Sequence, residues 1–152
     1  MKPPVTIEQL TEMWSKDSIM DETEPGRELM KIPILHSKYL TIMSYHNMIV
    51  RKLMGDYNKK RLLLTQYWCG DLNNDEDLAT IGREPVMKKI LRQDIPMYLD
   101  SDQELIDILL RKIYNEEIVA YCTSVLRELN SRTYQLRAFV DWEKFTGGPG
   151  NG

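Results

Sequence analysis

Basic side chains recur every seven residues in the first half of the chain, and one aromatic residue interrupts them. Seven residues advance an α-helix by almost two turns, with a drift of about 20°, so these positions form one row along a helix. Lysines neutralise phosphates and release counterions, and an aromatic ring offers a face for an unstacked base. The row therefore predicts a surface for a single nucleic-acid strand, although lysine rows are also common on solvated helix faces. Its members are Lys31, Lys38, Tyr45, Lys52, Lys59 and Gln66, with Arg51, Lys60 and Arg61 beside it.

No comparable pattern points to catalysis. The chain contains none of the motifs GxxxxGK[ST], GxGxxG, GxSxG or HExxH. His36 and His46 are ten residues apart, which places them about 80° apart around a helix and makes a poor metal pair. The acidic segment after Gly70 begins with the spacing of a calcium loop, but Glu76 stands where that loop requires glycine. We therefore expect a protein that is not an enzyme and uses no cofactor or metal.

Length and composition indicate one folded domain of 152 residues, with 42% hydrophobic and 28% charged residues. The formal net charge is −3, so any binding to nucleic acid must come from a local basic patch. No stretch approaches the ~20 apolar residues of a membrane span, and the N-terminus does not resemble a signal peptide. Cys69 and Cys122 belong to no CxxC pair, which predicts two reduced thiols in a cytoplasmic protein.

Proline and glycine divide the chain into helical segments, which predicts an all-α fold with two long helices and shorter N-terminal and connecting helices. Thr6 and Gln9 form a capping box at the start of the first helix, and Ser101 with Glu104 suggests a second one before the last helix. The predicted segments are a first helix after Thr6, a loop over residues 21–26, a long helix over 33–69, an acidic loop over 70–82, a short helix over 85–91 and a final helix over 101–144.

The final helix is the strongest structural expectation, because no proline or glycine occurs from residue 97 to residue 146. It would be about 65 Å long at ~1.5 Å per residue. Its apolar positions alternate by four and three, as in a coiled coil, which predicts an oligomerisation seam. The alternative is a monomeric hairpin in which this helix packs on the second helix. The predicted seam consists of Ile118, Cys122, Val125, Leu129, Leu136 and Val140, within a single domain of residues 1–146 that precedes a glycine-rich tail over 147–152.

A set of short segments occurs in a fixed order along most of the chain. They are residues 7–10, His36-Ser37-Lys38-Tyr39-Leu40, Tyr67-Trp68-Cys69-Gly70 before an acidic loop, residues 87–91, Asn130-Ser131-Arg132, Ala138-Phe139, Trp142, Phe145 and a terminal glycine. This collinear set resembles the UvsY family, the recombination mediators of T-even-like bacteriophages.

The resemblance implies a protein that binds single-stranded DNA and helps a phage recombinase displace the phage single-strand-binding protein during recombination, repair and recombination-dependent replication. It implies a ring-shaped homo-oligomer, a heptamer in the known form, assembled through the C-terminal region in the cytoplasm of the infected bacterium. It also implies no cofactor and no membrane partner.

The family carries basic DNA-binding residues shortly before the aromatic-glycine end of the second helix. In this sequence those positions are Leu62 and Leu64, and the basic residues are Lys59, Lys60 and Arg61 instead. The DNA-binding prediction therefore comprises Lys59, Lys60, Arg61, Lys52, Arg51, Lys38 and Tyr45. The alternative function is a helical scaffold or phage assembly protein that binds no nucleic acid.

Overall fold

The structure is a computed structural model, and it describes residues 4–147. Within that range the fold is all-α, as predicted, and contains no β-strand. The helices are α1 (Ile7–Asp17), α2 (Pro25–Trp68), α3 (Asp75–Ile81), a 3₁₀ helix (Arg92–Asp94), α4 (Ile95–Asp100) and α5 (Gln103–Gly147). None of these helices is long and apolar enough to cross a membrane.

The chain packs as two compact units, and both long helices run through both of them. We call Met1–Met48 with Asn115–Gly152 the terminal unit, and Ile49–Tyr114 the middle unit. The prediction of one domain over residues 1–146 stays a prediction. Of the predicted tail, Gly147 is the last residue of α5, and residues 148–152 lie outside the described part of the chain.

The core of the terminal unit is built by α1, α2 and α5. Leu10 from α1 and Tyr39 from α2 pack against one face of α5, and the Trp14 ring meets the Tyr39 ring edge-on at 5.6 Å. Thr6 caps α1 with both hydrogen bonds of the predicted capping box. The α5 residues in this core are Ile118, Cys122, Val125 and Leu129.

Five of the six residues assigned to an oligomer seam are therefore buried inside the single chain. Ile118, Cys122 and Leu129 have no exposed surface, and Leu136 is 5% exposed. Val140 is half-buried and lines a surface groove with Leu29 of α2. Within each unit the two long helices pack together, which is the arrangement of the hairpin alternative. A second subunit could reach these five buried residues only if the core of the terminal unit opened.

The second helix begins at Pro25, eight residues earlier than predicted. Proline suits the first helical position because the N–H that it lacks would have no helical acceptor there. Asp21 prepares this start by accepting the Thr23 N–H at 2.9 Å. Pro33 is instead an exposed interior residue, so the helix lacks the hydrogen bond to the carbonyl of Leu29.

The connection between the long helices differs from the prediction in two places. The acidic segment contains α3, which Asn74 caps by accepting the Asp77 N–H at 2.8 Å. Gly82, with φ 68°, caps the C-terminus of α3. The acidic first turn of α3 faces the positive end of the helix dipole. The segment over residues 70–82, which was predicted as a loop, therefore contains good signals for the start of a helix.

The short helix predicted over residues 85–91 does not form. Two side chains bind the backbone at the start of this segment: the Tyr67 hydroxyl donates to the Glu84 carbonyl at 2.6 Å, and Asn73 accepts the Val86 N–H at 3.3 Å. The helical residues follow later, in the 3₁₀ helix and α4. We call residues 83–91 the connecting loop.

The last helix starts at Gln103, and Asp102 rather than Ser101 accepts a hydrogen bond from an amide of its first turn. The Asp102 Oδ1 accepts the Glu104 N–H at 3.1 Å, whereas the Ser101 hydroxyl turns back to the Met97 carbonyl. Leu105 packs with Leu64 of α2 in the core of the middle unit.

Candidate nucleic-acid interface

The first part of the predicted basic row lies in the terminal unit, where its charges are already paired. The Lys31 Nζ is 2.7 Å from Glu28, and the Lys38 Nζ is 2.6 Å from Asp17. Burial raises the pKa of Asp17, but the hydrogen bonds and charges of Lys38 and its neighbours outweigh burial and hold that pKa below its ordinary value. Tyr45 is half-buried and packs edge-on against the His46 ring. These residues are poorly placed to offer free positive charge.

Lys59, Lys60 and Arg61 do not share one surface. Successive helical residues point about 100° apart, so three in a row face three directions. Lys59 is exposed, whereas Lys60 forms an ion pair with Glu104 and keeps only a quarter of its side chain accessible. Arg61 donates to the Tyr57 hydroxyl at 3.2 Å and lies 3.9 Å from an Asp100 carboxylate oxygen. The predicted basic cluster therefore separates into one exposed, unpaired cation and two that face acidic side chains of the same unit.

The available charge on α2 is carried by Lys52 and Lys59, with Arg51 beside them; we call these three residues the α2 strip. All three are exposed, and none forms an ion pair with any residue between 4 and 147. Lys52 and Lys59 are about 10.5 Å apart along the helix axis at ~1.5 Å per residue. The strip can thus present two or three unpaired cations to a polyanion.

Sequence reasoning missed a second group of cations in the middle unit. Lys88 and Lys89 in the connecting loop and Arg92 in the 3₁₀ helix are all exposed. Together with Trp68 at the end of α2 they line an open groove of about 460 Å³. The signal in the sequence is three basic residues within five positions, which lie in the segment predicted as a helix over residues 85–91 and directly after it. We call this site the helix-end groove.

A partly buried ion network joins the connecting loop to the start of α5. The Arg83 guanidinium donates to both Asp102 oxygens at 2.6 and 2.8 Å and to Glu104 at 2.9 Å. Hydrogen bonding by Lys60 and by Arg83, against burial, holds the pKa of Glu104 below its ordinary value. This network fixes the loop that carries Lys88 and Lys89 and also neutralises Lys60.

Together, the fold and its exposed cations define a helical protein whose candidate ligand is a nucleic-acid strand. Residues 13–149 match the model of the family described as "Recombination, repair and ssDNA binding protein UvsY". The chain belongs to the UvsY family. No curated protein sequence matches the chain closely enough to count as a relative.

Solved structures of the bacteriophage T4 recombination mediator protein UvsY share the fold. A crystal structure in lattice type II superimposes with a TM-score of 0.81 at 20% identity, covering 95% of this chain and 99% of that chain. A structure in lattice type IV gives 0.81 at 19% identity, covering 93% and 99%. At this identity the similarity concerns the backbone fold and transfers no individual side-chain contact.

Proposed function

We propose that this protein binds single-stranded DNA through the α2 strip and acts as a recombination mediator, loading a phage recombinase onto DNA covered by single-strand-binding protein. The observation that carries the proposal is the set of exposed, unpaired cations in the α2 strip of a chain whose net charge is −3. Membership of the UvsY family supports the same ligand.

Two or three phosphate contacts per protomer bind DNA weakly at physiological salt. A homo-oligomer strengthens them without new contacts, because each bound protomer raises the effective concentration of the strand near the next one. A ring, with seven subunits as the resemblance implies, would multiply the α2 strip in this way. Weak individual contacts also let the recombinase displace the mediator from the strand locally.

Assembly through the predicted seam would require the core of the terminal unit to open, so we propose a different surface for the contact between protomers. The C-terminal part of α5 exposes three aromatic residues, Tyr134, Trp142 and Phe145, of which Phe145 is 81% exposed. At 100° per residue all three lie within an arc of about 80°. We assign the contact between protomers to this aromatic face, because exposed aromatic rings on one face of a helix are typical of sites covered by another protein chain. The proposed partners are therefore a second copy of this chain, the recombinase and the single-strand-binding protein, in the cytoplasm of an infected bacterium.

The direct test is the fluorescence anisotropy of a labelled oligothymidylate titrated with Lys52→Ala/Lys59→Ala protein. We expect affinity to fall at least about tenfold and the log–log salt slope to fall by about 1.4, since each phosphate contact on single strands contributes ~0.7. Lys16→Ala/Arg27→Ala removes the same charge from exposed surface ion pairs of the terminal unit and should bind normally. Lys60→Ala should have a smaller effect because Glu104 already neutralises Lys60.

Equal affinity and equal slope in the α2-strip variant and in its control would exclude the strip as the DNA contact. If the unaltered protein assembles normally but binds no oligonucleotide at low salt, the scaffold alternative replaces the mediator.

A further inference from the structure

The helix-end groove has the size and lining of a ligand site, and nothing in the predicted DNA surface accounts for it. Its volume of about 460 Å³ lies within the range of roughly 300–1,000 Å³ that is typical of small-molecule sites. Three exposed cations line it, against one carboxylate from Asp71. No ion pair of Lys88, Lys89 or Arg92 is found among residues 4–147, so the groove carries a net positive charge.

Trp68 gives the groove an aromatic wall with a fixed orientation. Its ring lies 4.9 Å from the Tyr67 ring and 5.0 Å from the Tyr98 ring, measured between centroids. The indole N–H is buried and has no hydrogen-bond partner among the described residues, while the residue as a whole remains partly accessible. The accessible part of Trp68 is therefore not its polar edge, and it suits stacking or apolar contact better than hydrogen bonding.

The position of the groove at the end of α2 matters electrostatically. The C-terminus of a helix carries about half a negative charge, which repels phosphate. No basic residue occurs in the last turn of α2 to offset it. Lys88, Lys89 and Arg92 supply that positive charge from the connecting loop and the 3₁₀ helix, so an anion can approach a helix end that would otherwise exclude it.

Helix geometry also relates the groove to the basic residues upstream. Trp68 follows Arg61 by seven residues and therefore lies on the same side of α2 as Arg61. It lies about 180° around the helix from Lys59. Arg61 is 41% exposed, and its acid partner Asp100 is 70% exposed, so the 3.9 Å contact between them can open readily. Lys59 and the groove therefore lie on opposite sides of α2, and a strand can contact both by passing over the end of the helix.

We propose that the helix-end groove is a second contact for single-stranded DNA, in which Lys88, Lys89 and Arg92 bind phosphates and Trp68 contacts one base. This inference rests on the proposed function and adds a base contact to it. The strand runs along the α2 strip, crosses the end of the helix and places a nucleotide in the groove. Each protomer thereby holds the strand on two sides of one helix.

The test uses an oligonucleotide that carries 5-iododeoxyuridine, which forms photochemical cross-links to aromatic side chains that contact the base. We expect mass spectrometry to locate a cross-link on Trp68 in the full-length, assembled protein. The Lys88→Ala/Lys89→Ala/Arg92→Ala variant should lose most of this cross-link. Its affinity should fall at least about tenfold, with a salt slope lower by about 2, from three contacts of ~0.7 each.

A matched control removes three exposed cations from the terminal unit, as Lys16→Ala/Arg27→Ala/Arg127→Ala, and should keep both affinity and cross-link. The α2-strip variant at saturating DNA should still cross-link at Trp68, because the groove itself is intact. Failure of the unaltered protein to bind any oligonucleotide overturns the proposed function and this inference together. Normal binding with no cross-link at Trp68, and normal affinity of the groove variant, overturns the groove alone and leaves it for another ligand, such as an acidic peptide.

Discussion

Asp102 holds together the start of α5 and the connecting loop, and its removal should destabilise the middle unit strongly. The residue is only 6% exposed. Its carboxylate accepts two hydrogen bonds from the Arg83 guanidinium, at 2.6 and 2.8 Å, and one from the Glu104 N–H at the first turn of α5. Asp102→Ala therefore removes an ion-pair partner and a helix cap in one substitution.

The expected cost follows from these two roles. Breaking a buried ion pair by removing one partner costs about 3–5 kcal/mol, and the low end applies here because Arg83 keeps its bond to Glu104. Loss of a helix cap costs about 1 kcal/mol. We expect Asp102→Ala to lower the free energy of unfolding by about 3–4 kcal/mol. Asp102→Asn should cost about 2 kcal/mol, because asparagine still caps a helix but leaves the guanidinium without its counter-charge.

Urea unfolding followed by circular dichroism, at one fixed protein concentration, measures both variants. A double-mutant cycle with Arg83→Ala isolates the pair, and we expect a coupling energy of about 2 kcal/mol. A cost below about 1 kcal/mol for both Asp102→Ala and Asp102→Asn would show that the pair does not stabilise the middle unit. Additive effects in the cycle would show the same.

The same pair predicts a pH dependence. Burial raises the pKa of Asp102, but the hydrogen bonds and charge of Arg83, with the amides of α5, hold it below its ordinary value. The stabilisation is therefore complete above the unfolded-state pKa of about 3.9 and is lost as the pH falls through the lower folded-state pKa. Asp102→Asn should flatten the decline of stability below about pH 4, as measured by urea unfolding from pH 2.5 to 7.

Two further outcomes are expected. Leu129→Asp should unfold the terminal unit, because it places a charge in a position with no exposed surface. Phe145→Asp should keep native helicity and lower the solution mass measured by light scattering. A native mass in Phe145→Asp would rule out the aromatic face as the assembly contact. With Ellman's reagent, exposed Cys69 should react in the folded protein. Cys122 should react only in denaturant, because burial shields its thiol and raises the thiol pKa to about 11. Fast reaction of two thiols without denaturant would contradict the burial of Cys122 in the core of the terminal unit.

Much of the secondary structure followed from local rules. The capping box at Thr6 predicted the start of α1, and the absence of proline and glycine predicted α5, because both signals act within a few residues along the chain. The helix predicted over residues 85–91, which does not form, shows the limit of such local rules. Its backbone is held by the Tyr67 hydroxyl and the Asn73 amide, which reach the loop from 17 and 13 residues away in sequence. Local propensity contains no information about these partners.

The apolar spacing of α5 predicted a buried helix face but could not identify what covers it, and the role of this face in a subunit contact stays a prediction. A four-three alternation specifies that a helix face must be covered, and burial by α1 and α2 of the same chain satisfies that requirement as well as burial by a second subunit. The aromatic face at Tyr134, Trp142 and Phe145 became a candidate contact only because the structure leaves it exposed.

The basic row shows the same division at the candidate DNA surface. The sequence specifies which residues carry positive charge and how they are spaced along α2. Which of them remain free depends on the tertiary fold, since Lys60 forms an ion pair with Glu104 while the neighbouring Lys59 is exposed to solvent. It also brought Lys88, Lys89 and Arg92 to the end of α2, beside Trp68. The physical reason is that charge is a property of one residue, whereas its neutralisation depends on which distant residues the fold places within a few ångströms.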